Sequence, residues 1–292
     1  MTITTKKKID IDDNEMQRIF RRIVISSSFA GIIIIYSPKV EYTFLTFFLS
    51  LVYVWLNSMV ERFFPGTLIL DGVPSPKYRL YTSILHDGFV AGGILFAILL
   101  LRFAGFGNDI PTWLTHGWED CDFGSNDGDT SHNLVEGLDV LAMCVTIAFE
   151  IKDGIVDDFD LRLERVGIYI HHVATTFCCL YILNCEYGKG LMLVNGLQAL
   201  LGSLLYCLWR LNNLGTITYC VTMTLSNILG LWLTIKYFEL AKSKGDLAIF
   251  FPTLSVAIII IRQYPVMEVI LQEIFKSSTK RTPLFIEEEK KE

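Results

Sequence analysis

Eight stretches of mostly apolar residues run through this 292-residue chain, at roughly 20–37, 40–60, 80–105, 134–155, 164–184, 189–211, 215–240 and 246–272. A helix needs about 20 residues to cross a hydrocarbon core roughly 30 Å thick. The pattern therefore predicts an all-α fold, a polytopic transmembrane helical bundle of about eight spans. Composition agrees, with 52% apolar residues, only 19% charged residues and a mean hydropathy of +0.44, a balance unlike that of soluble globular proteins. No segment between the runs is long enough for a separate soluble domain. The expected organisation is a basic tail over 1–19, two leading helices over 20–60, a transmembrane core over 61–272 and a charged tail over 273–292.

The first run is the weakest, because Ser26, Ser27 and Ser28 precede the isoleucines at 32–35. Its Arg18-x-x-Arg21-Arg22 flank is like that of a signal peptide, but Tyr36-Ser37-Pro38-Lys39 leads straight into the next span without a small-residue cleavage site. A retained helix is expected. With the N-terminus in the cytoplasm, 18 of the 25 Lys and Arg residues fall on inside segments and six on outside ones, with Arg262 left within a span. The positive-inside rule therefore favours both termini in the cytoplasm, and an even number of spans agrees with that.

The net charge of −6 hides an acidic excess in the loop over 106–133, which then faces the exterior or a lumen. Its Asp120, Asp122, Asp127 and Asp129 lack the frame and the twelfth-position Glu of a calcium-binding EF-hand loop, so the loop reads as solvated. Five of the seven cysteines lie in spans and act as small apolar residues. Cys121 and Cys185 both fall on the outside, where a disulfide could join them in an oxidising compartment.

Charge within a membrane is costly, so ionisable residues inside spans mark where function is sought. His86 and Asp87 lie about 9–10 Å into the third span from the cytoplasmic side, and His171 and His172 about 10–11 Å into the fifth. Glu150 and Asp153 are near the cytoplasmic end of the fourth, spaced i, i+3 on one helix face. Three consecutive helices thus bring imidazoles and carboxylates to one depth. Adjacent histidines diverge by roughly 100° around a helix, so only one of His171 and His172 can face a shared cavity. An imidazole held by a carboxylate in a dry pocket can act as general base or nucleophile, which makes His171, His172 and Asp153 the candidate catalytic groups. Interhelical hydrogen bonding is the competing role for the same residues.

His86, Asp87, Glu150, Arg262, Gln198 and Asn195 are the candidate substrate-binding residues. Arg262 is followed by Gln263, Tyr264 and Pro265, and in mid-membrane it needs an acidic partner or a lipid phosphate; Glu150 or Asp153 is the expected protein partner. Gly88, Gly92 and Gly93 suit close helix approach. Only five histidines occur in the chain, too few for the His boxes of membrane di-iron hydroxylases. A zinc held by His86, one of the paired histidines and Asp153 is chemically allowed, but nothing in the spacing requires it, and no metal is assigned.

The segment Lys77-Tyr78-Arg79-Leu80-Tyr81-Thr82-Ser83-Ile84-Leu85-His86, Glu150-x-x-Asp153, Glu164 and His171-His172-Val173-Ala174-Thr175 together resemble the TLC-domain family, which includes the ceramide synthases. The likeness covers roughly residues 60–272. It implies a core of six to seven helices around a lipid-accessible cavity, with acyl-chain or sphingolipid chemistry or lipid regulation as the associated biology. Glu164 stands where ceramide synthases have an Asp. Their second acidic motif has no counterpart here, its positions being Gln198, Ala199 and Gly202. That argues against N-acyltransferase activity and for the shorter TLC proteins that affect membrane lipid composition. Acyl-CoA enters as a cofactor only under the acyltransferase reading. The expected partners are membrane lipids, not nucleic acid, and the likeness points to the endoplasmic reticulum. A transporter ranks last, since no inverted repeat or interrupted helix pair is seen.

Overall fold

The computed structural model describes residues 13–70, 73–107, 109–115, 130–156, 163–184, 187–243 and 250–275. The acidic-loop residues Asp120, Asp122, Asp127 and Asp129, the pair Cys121 and Cys185, and most of both charged tails lie outside the described residues. So do the side chains of Glu164 and His171, although the backbone of both belongs to a helix.

Helices α1 (Asp13–Tyr36) and α2 (Val40–Phe63) lead into a hairpin of strands β1 (Thr67–Leu70) and β2 (Val73–Pro76). A continuous helix follows, made of α3 (Lys77–Asp87), a π-helical segment (Gly88–Ile94) and α4 (Leu95–Phe103). After the short α5 (Ile110–Thr115) come α6 (Thr130–Val156), α7 (Leu163–Asn184), α8 (Lys189–Arg210), α9 (Thr216–Ser243) and α10 (Phe250–Phe275). Every one of the eight apolar runs is thus occupied by helix. Five helices are long and apolar enough to cross a membrane: Val40–Phe63, Lys77–Phe103, Lys189–Arg210, Thr216–Ser243 and Pro252–Leu271. The apolar parts of α1 and α7 are shorter, Arg22–Tyr36 and His172–Asn184. Helix α6 carries Glu136, Asp139, Glu150, Lys152 and Asp153 along its length.

The chain is a helical integral membrane protein, and the burial pattern on α2 gives the physical reason. Its inward face is Tyr42, Thr46, Ser50, Tyr53, Asn57 and Val60, all buried, whereas Phe44, Phe48, Leu51 and Trp55 are exposed. A soluble helix shows the opposite arrangement. Where lipid is the solvent, apolar side chains gain nothing by turning inward, and polar groups must find partners between helices. Helix α9 repeats the pattern, exposing Ile217, Val221, Leu225, Ile228 and Trp232 while burying Ser226, Asn227 and Thr234.

Strict all-α architecture is corrected by the β1–β2 hairpin, which pairs antiparallel with Thr67 opposite Pro76. Gly66, at φ +103°, turns the chain into it. Pro74 and Pro76 lack the N–H that a further strand beside β2 would need, and the sheet among the described residues is two-stranded. Leu68 docks the hairpin against Leu80 and Cys207.

Helix α6 is the central element, packed against α1, α2, α4, α7 and the π segment. Every residue from Ala142 to Lys152 on it is buried. Around α5 the packing is closest at Gly190, where an added Cβ would meet the Trp113 carbonyl oxygen and lie 2.8 Å from its carbon and 2.9 Å from Leu114 Cα. These are backbone atoms and cannot rotate away. Gly190→Ala is therefore expected to destabilise the bundle by about 1–3 kcal/mol, as overpacking does, read as a lower Tm in detergent; an unchanged Tm would show that α5 is free to shift.

Candidate functional site

The helical spacing of Glu150 and Asp153 turns both carboxylates from α6 toward α7, where His172 lies between them. His172 Nδ1 donates a hydrogen bond to Glu150 Oε2, and its Nε2 is 3.6 Å from Asp153 Oδ2. Lys152 forms an ion pair with Asp153 and places its ammonium 4.0 Å from the centre of the Phe149 ring. One ligand-capable atom from each of Glu150, Asp153 and His172 lies within 4.8 Å of the other two. Among the described residues this is the group with the composition to hold a metal ion.

On the other side of α6, Phe149 stacks against His86, with ring centres 4.1 Å apart and planes within 5°. Tyr53 crosses both rings edge-on and shares a 2.8 Å hydrogen bond between its hydroxyl and His86 Nδ1. His86 is 1% exposed, and its Nε2 has no hydrogen-bond partner among the described residues. Asp87 is equally buried; the Ser203 hydroxyl hydrogen-bonds to its carboxyl, while Oδ2 has no such partner. Directly after this pair the helix widens into its π segment. Helices frequently break their regular hydrogen-bond register in this way at functional sites, and three of the seven residues in the segment are glycines, Gly88, Gly92 and Gly93.

A narrow cleft with an enclosed volume of about 70 Å³ runs between α6, α7, α8 and α10. Its walls include Met143, Ile182, Leu197, Leu200, Ile258 and Ile259, and its polar groups include Asn195, Gln198 and Arg262. Thr146 and Thr175 also line it. They precede Glu150 by four residues and follow His172 by three, so the His–carboxylate cluster lies one helical turn, roughly 5 Å, from the cleft lining. Ser203, the partner of Asp87, is in the lining as well.

Across the cleft the polar residues form a connected network. Asn195 donates to Thr234 Oγ1 at 3.0 Å and to Ser255 Oγ at 3.4 Å, and Gln198 donates to Asn195 Oδ1 at 3.3 Å. The Ser226 hydroxyl reaches Gln198 Oε1 at 2.5 Å. Arg262 donates through Nη2 to Ser226 Oγ at 3.2 Å and contacts Met223 Sδ at 3.4 Å, while its Nη1 is buried without a hydrogen-bond partner among the described residues.

Glu150, Asp153 and His172 thus form one cluster, His86 and Asp87 flank it, and Asn195, Gln198 and Arg262 belong to the cleft. The expected pairing of Arg262 with Glu150 or Asp153 is replaced by Ser226 and Met223, because α10 packs mainly on α9. Two residues counted as loop charges are in fact interior. Lys152 is 3% exposed within the cluster. Arg102, 4% exposed, pairs with Asp139 at 2.8 Å and Glu136 at 3.4 Å and lies over Trp113. Tyr53, Ser203 and Ser226 also belong to these networks; on α2 the sequence signal for Tyr53 is the helical spacing of polar residues through Thr46, Ser50, Tyr53 and Asn57. Compared with known proteins, the chain matches no family model, no curated protein and no solved structure.

Proposed function

We propose that the protein is an eight-span membrane protein of lipid metabolism or lipid homeostasis that binds an acyl-bearing lipid in the cleft between α6, α7, α8 and α10. The observation that carries this reading is the cleft itself: apolar walls with a partly buried guanidinium at Arg262 whose Nη1 has no hydrogen-bond partner among the described residues. An acyl chain suits the walls, and an anionic or polar headgroup suits Arg262 and Gln198. Ile260 and Ile261, on the same helix as the lining residues Ile258 and Ile259, are exposed, so a chain could pass between bilayer and cleft alongside α10. The likeness to TLC-domain proteins supports the same substrate class. Under this reading both termini are cytoplasmic and the endoplasmic reticulum is the compartment.

A second reading, a ceramide-synthase-like acyltransferase, rests on the His172–Glu150 hydrogen bond, which would orient the imidazole as a base or nucleophile. Gln198 and Gly202 at the positions of the second acidic motif speak against it. Comparing the lipidome of cells with and without the protein separates the two. Loss of the protein is expected to shift acyl-lipid composition, and folded His172→Ala and Asp153→Asn variants are expected to restore it under the binding reading. Failure of both folded variants would favour chemistry at the cluster. An unchanged lipidome on loss of the protein would remove both readings.

A further inference from the structure

Arg262 stands midway along its span Pro252–Leu271, roughly 14–15 Å from either end at about 1.5 Å per residue. A guanidinium at that depth needs a charged or strongly polar partner. The partners it has are neutral, the Ser226 hydroxyl at 3.2 Å and Met223 Sδ at 3.4 Å, and both are on Nη2. Nη1 is buried with no hydrogen-bond partner among the described residues. Asp87 is a carboxylate within electrostatic reach, but Ser203 is its hydrogen-bond partner. Its other oxygen, Oδ2, has no partner among the described residues, so it and Nη1 are not bonded to each other.

The guanidinium is nevertheless held in place. Gly202 on α8 gives it a seat, since a Cβ there would lie 2.7 Å from Arg262 Cζ and 3.0 Å from Met223 Sδ. Ser226 accepts from Nη2 and donates its own hydroxyl to Gln198 Oε1; Gln198 donates to Asn195, and Asn195 to Thr234. This chain of hydrogen bonds runs through α8 and α9 and orients the guanidinium before any ligand arrives. Tyr219, Met223 and Ser226 lie on one face of α9 at helical spacing, and all three are buried. The Tyr219 hydroxyl has no hydrogen-bond partner among the described residues and is within electrostatic reach of Arg262. A guanidinium N–H and a hydroxyl left over in this way complement an oxyanion.

We propose that the lipid in the cleft is an ionised one, whose oxyanion, a carboxylate or a phosphate monoester, binds Arg262 Nη1 inside the bilayer. The inference rests on the lipid reading above and narrows its substrate class. Ile258 and Ile259 precede Arg262 by one helical turn and line the cleft with it, as do Leu197 and Leu200 of α8. The acyl chain lies against these residues with its charged end at Arg262. The cleft is narrow, so a bare oxyanion fits where a choline or sugar headgroup does not. Hydrogen bonds between a guanidinium and an oxyanion are roughly twice as strong as neutral ones, and a low local dielectric adds to that difference.

The test uses the full chain, delipidated in detergent and titrated with palmitate, lysophosphatidate and the neutral monoacylglycerol of the same chain length, with inorganic phosphate as the chain-free anion. Native mass spectrometry counts what is bound. Wild type is expected to bind one of the two anionic lipids about tenfold or more tightly than the monoacylglycerol, and inorganic phosphate about tenfold or more weakly than that lipid. The tighter of the two assigns the oxyanion as carboxylate or phosphate. A folded Arg262→Gln variant should lose the preference and keep its monoacylglycerol affinity within about twofold, since the apolar walls are unchanged. The wild-type comparison needs no variant. Equal wild-type affinity for neutral and anionic lipids overturns the proposal and leaves the lipid reading standing, whereas a chain that binds none of the three lipids removes both. A folded Arg262→Gln variant that keeps the preference overturns the proposal. So does inorganic phosphate bound as tightly as the preferred lipid, which would put a soluble anion at Arg262.

Discussion

Replacing Arg102 with methionine is expected to destabilise the protein by about 3–5 kcal/mol, the usual consequence of removing one partner from a buried ion network. Arg102 ends α4 with its guanidinium fully buried, 2.8 Å from Asp139 and 3.4 Å from Glu136 on α6. Trp113 of α5 donates its indole N–H to the same Asp139 carboxylate at 3.0 Å. One side chain therefore ties three helices together at the end of the bundle opposite the His–carboxylate cluster. Without it, two buried carboxylates face each other unpaired. The triple variant Arg102→Met, Glu136→Gln, Asp139→Asn should recover most of the loss, because it removes the stranded charges together with their partner. Thermal unfolding in detergent measures both; an Arg102→Met variant within about 1 kcal/mol of wild type would show that the network is only a surface-type pairing.

The sequence pattern was sufficient for the positions of all the long helices, because a bilayer demands apolar length and little else, and apolar length is written directly in the residues. It was also sufficient for the meeting of Glu150, Asp153 and His172, since helix periodicity and depth place them together whatever the details of packing. It failed where packing alone decides. Arg102 and Lys152 sit at helix ends, where a residue count cannot tell a loop charge from a buried one. Both are interior because α6, the helix they adjoin or belong to, lies at the centre of the bundle. The partner of Arg262 depended on whether α10 packs on α6 or α9, which no periodicity encodes. The β1–β2 hairpin was hidden by its two prolines, residues that argue against strands except at edges.

The cleft offers a test in which nothing has to be removed. Gly196 lines it, and a Cβ added there meets no heavy atom within 4 Å. Gly196→Phe therefore starts its side chain from the cleft wall without a clash at Cβ, and it replaces a poor helix former with a better one, a gain of a few tenths of a kcal/mol. The fold should be kept or slightly stabilised while the space for an acyl chain is lost. This differs from changes at His172 or Asp153, which alter charge as well as shape.

The central claim, that the cleft binds an acyl-bearing lipid, is most directly tested by native mass spectrometry of wild-type and Gly196→Phe protein purified side by side. The wild-type chain is expected to carry bound acyl lipid that survives delipidating washes. The variant should have the same helicity and Tm but at least tenfold less of that lipid, as expected when a filled pocket excludes its ligand. A wild-type chain that retains no lipid, or a folded variant that retains as much as wild type, would contradict the account.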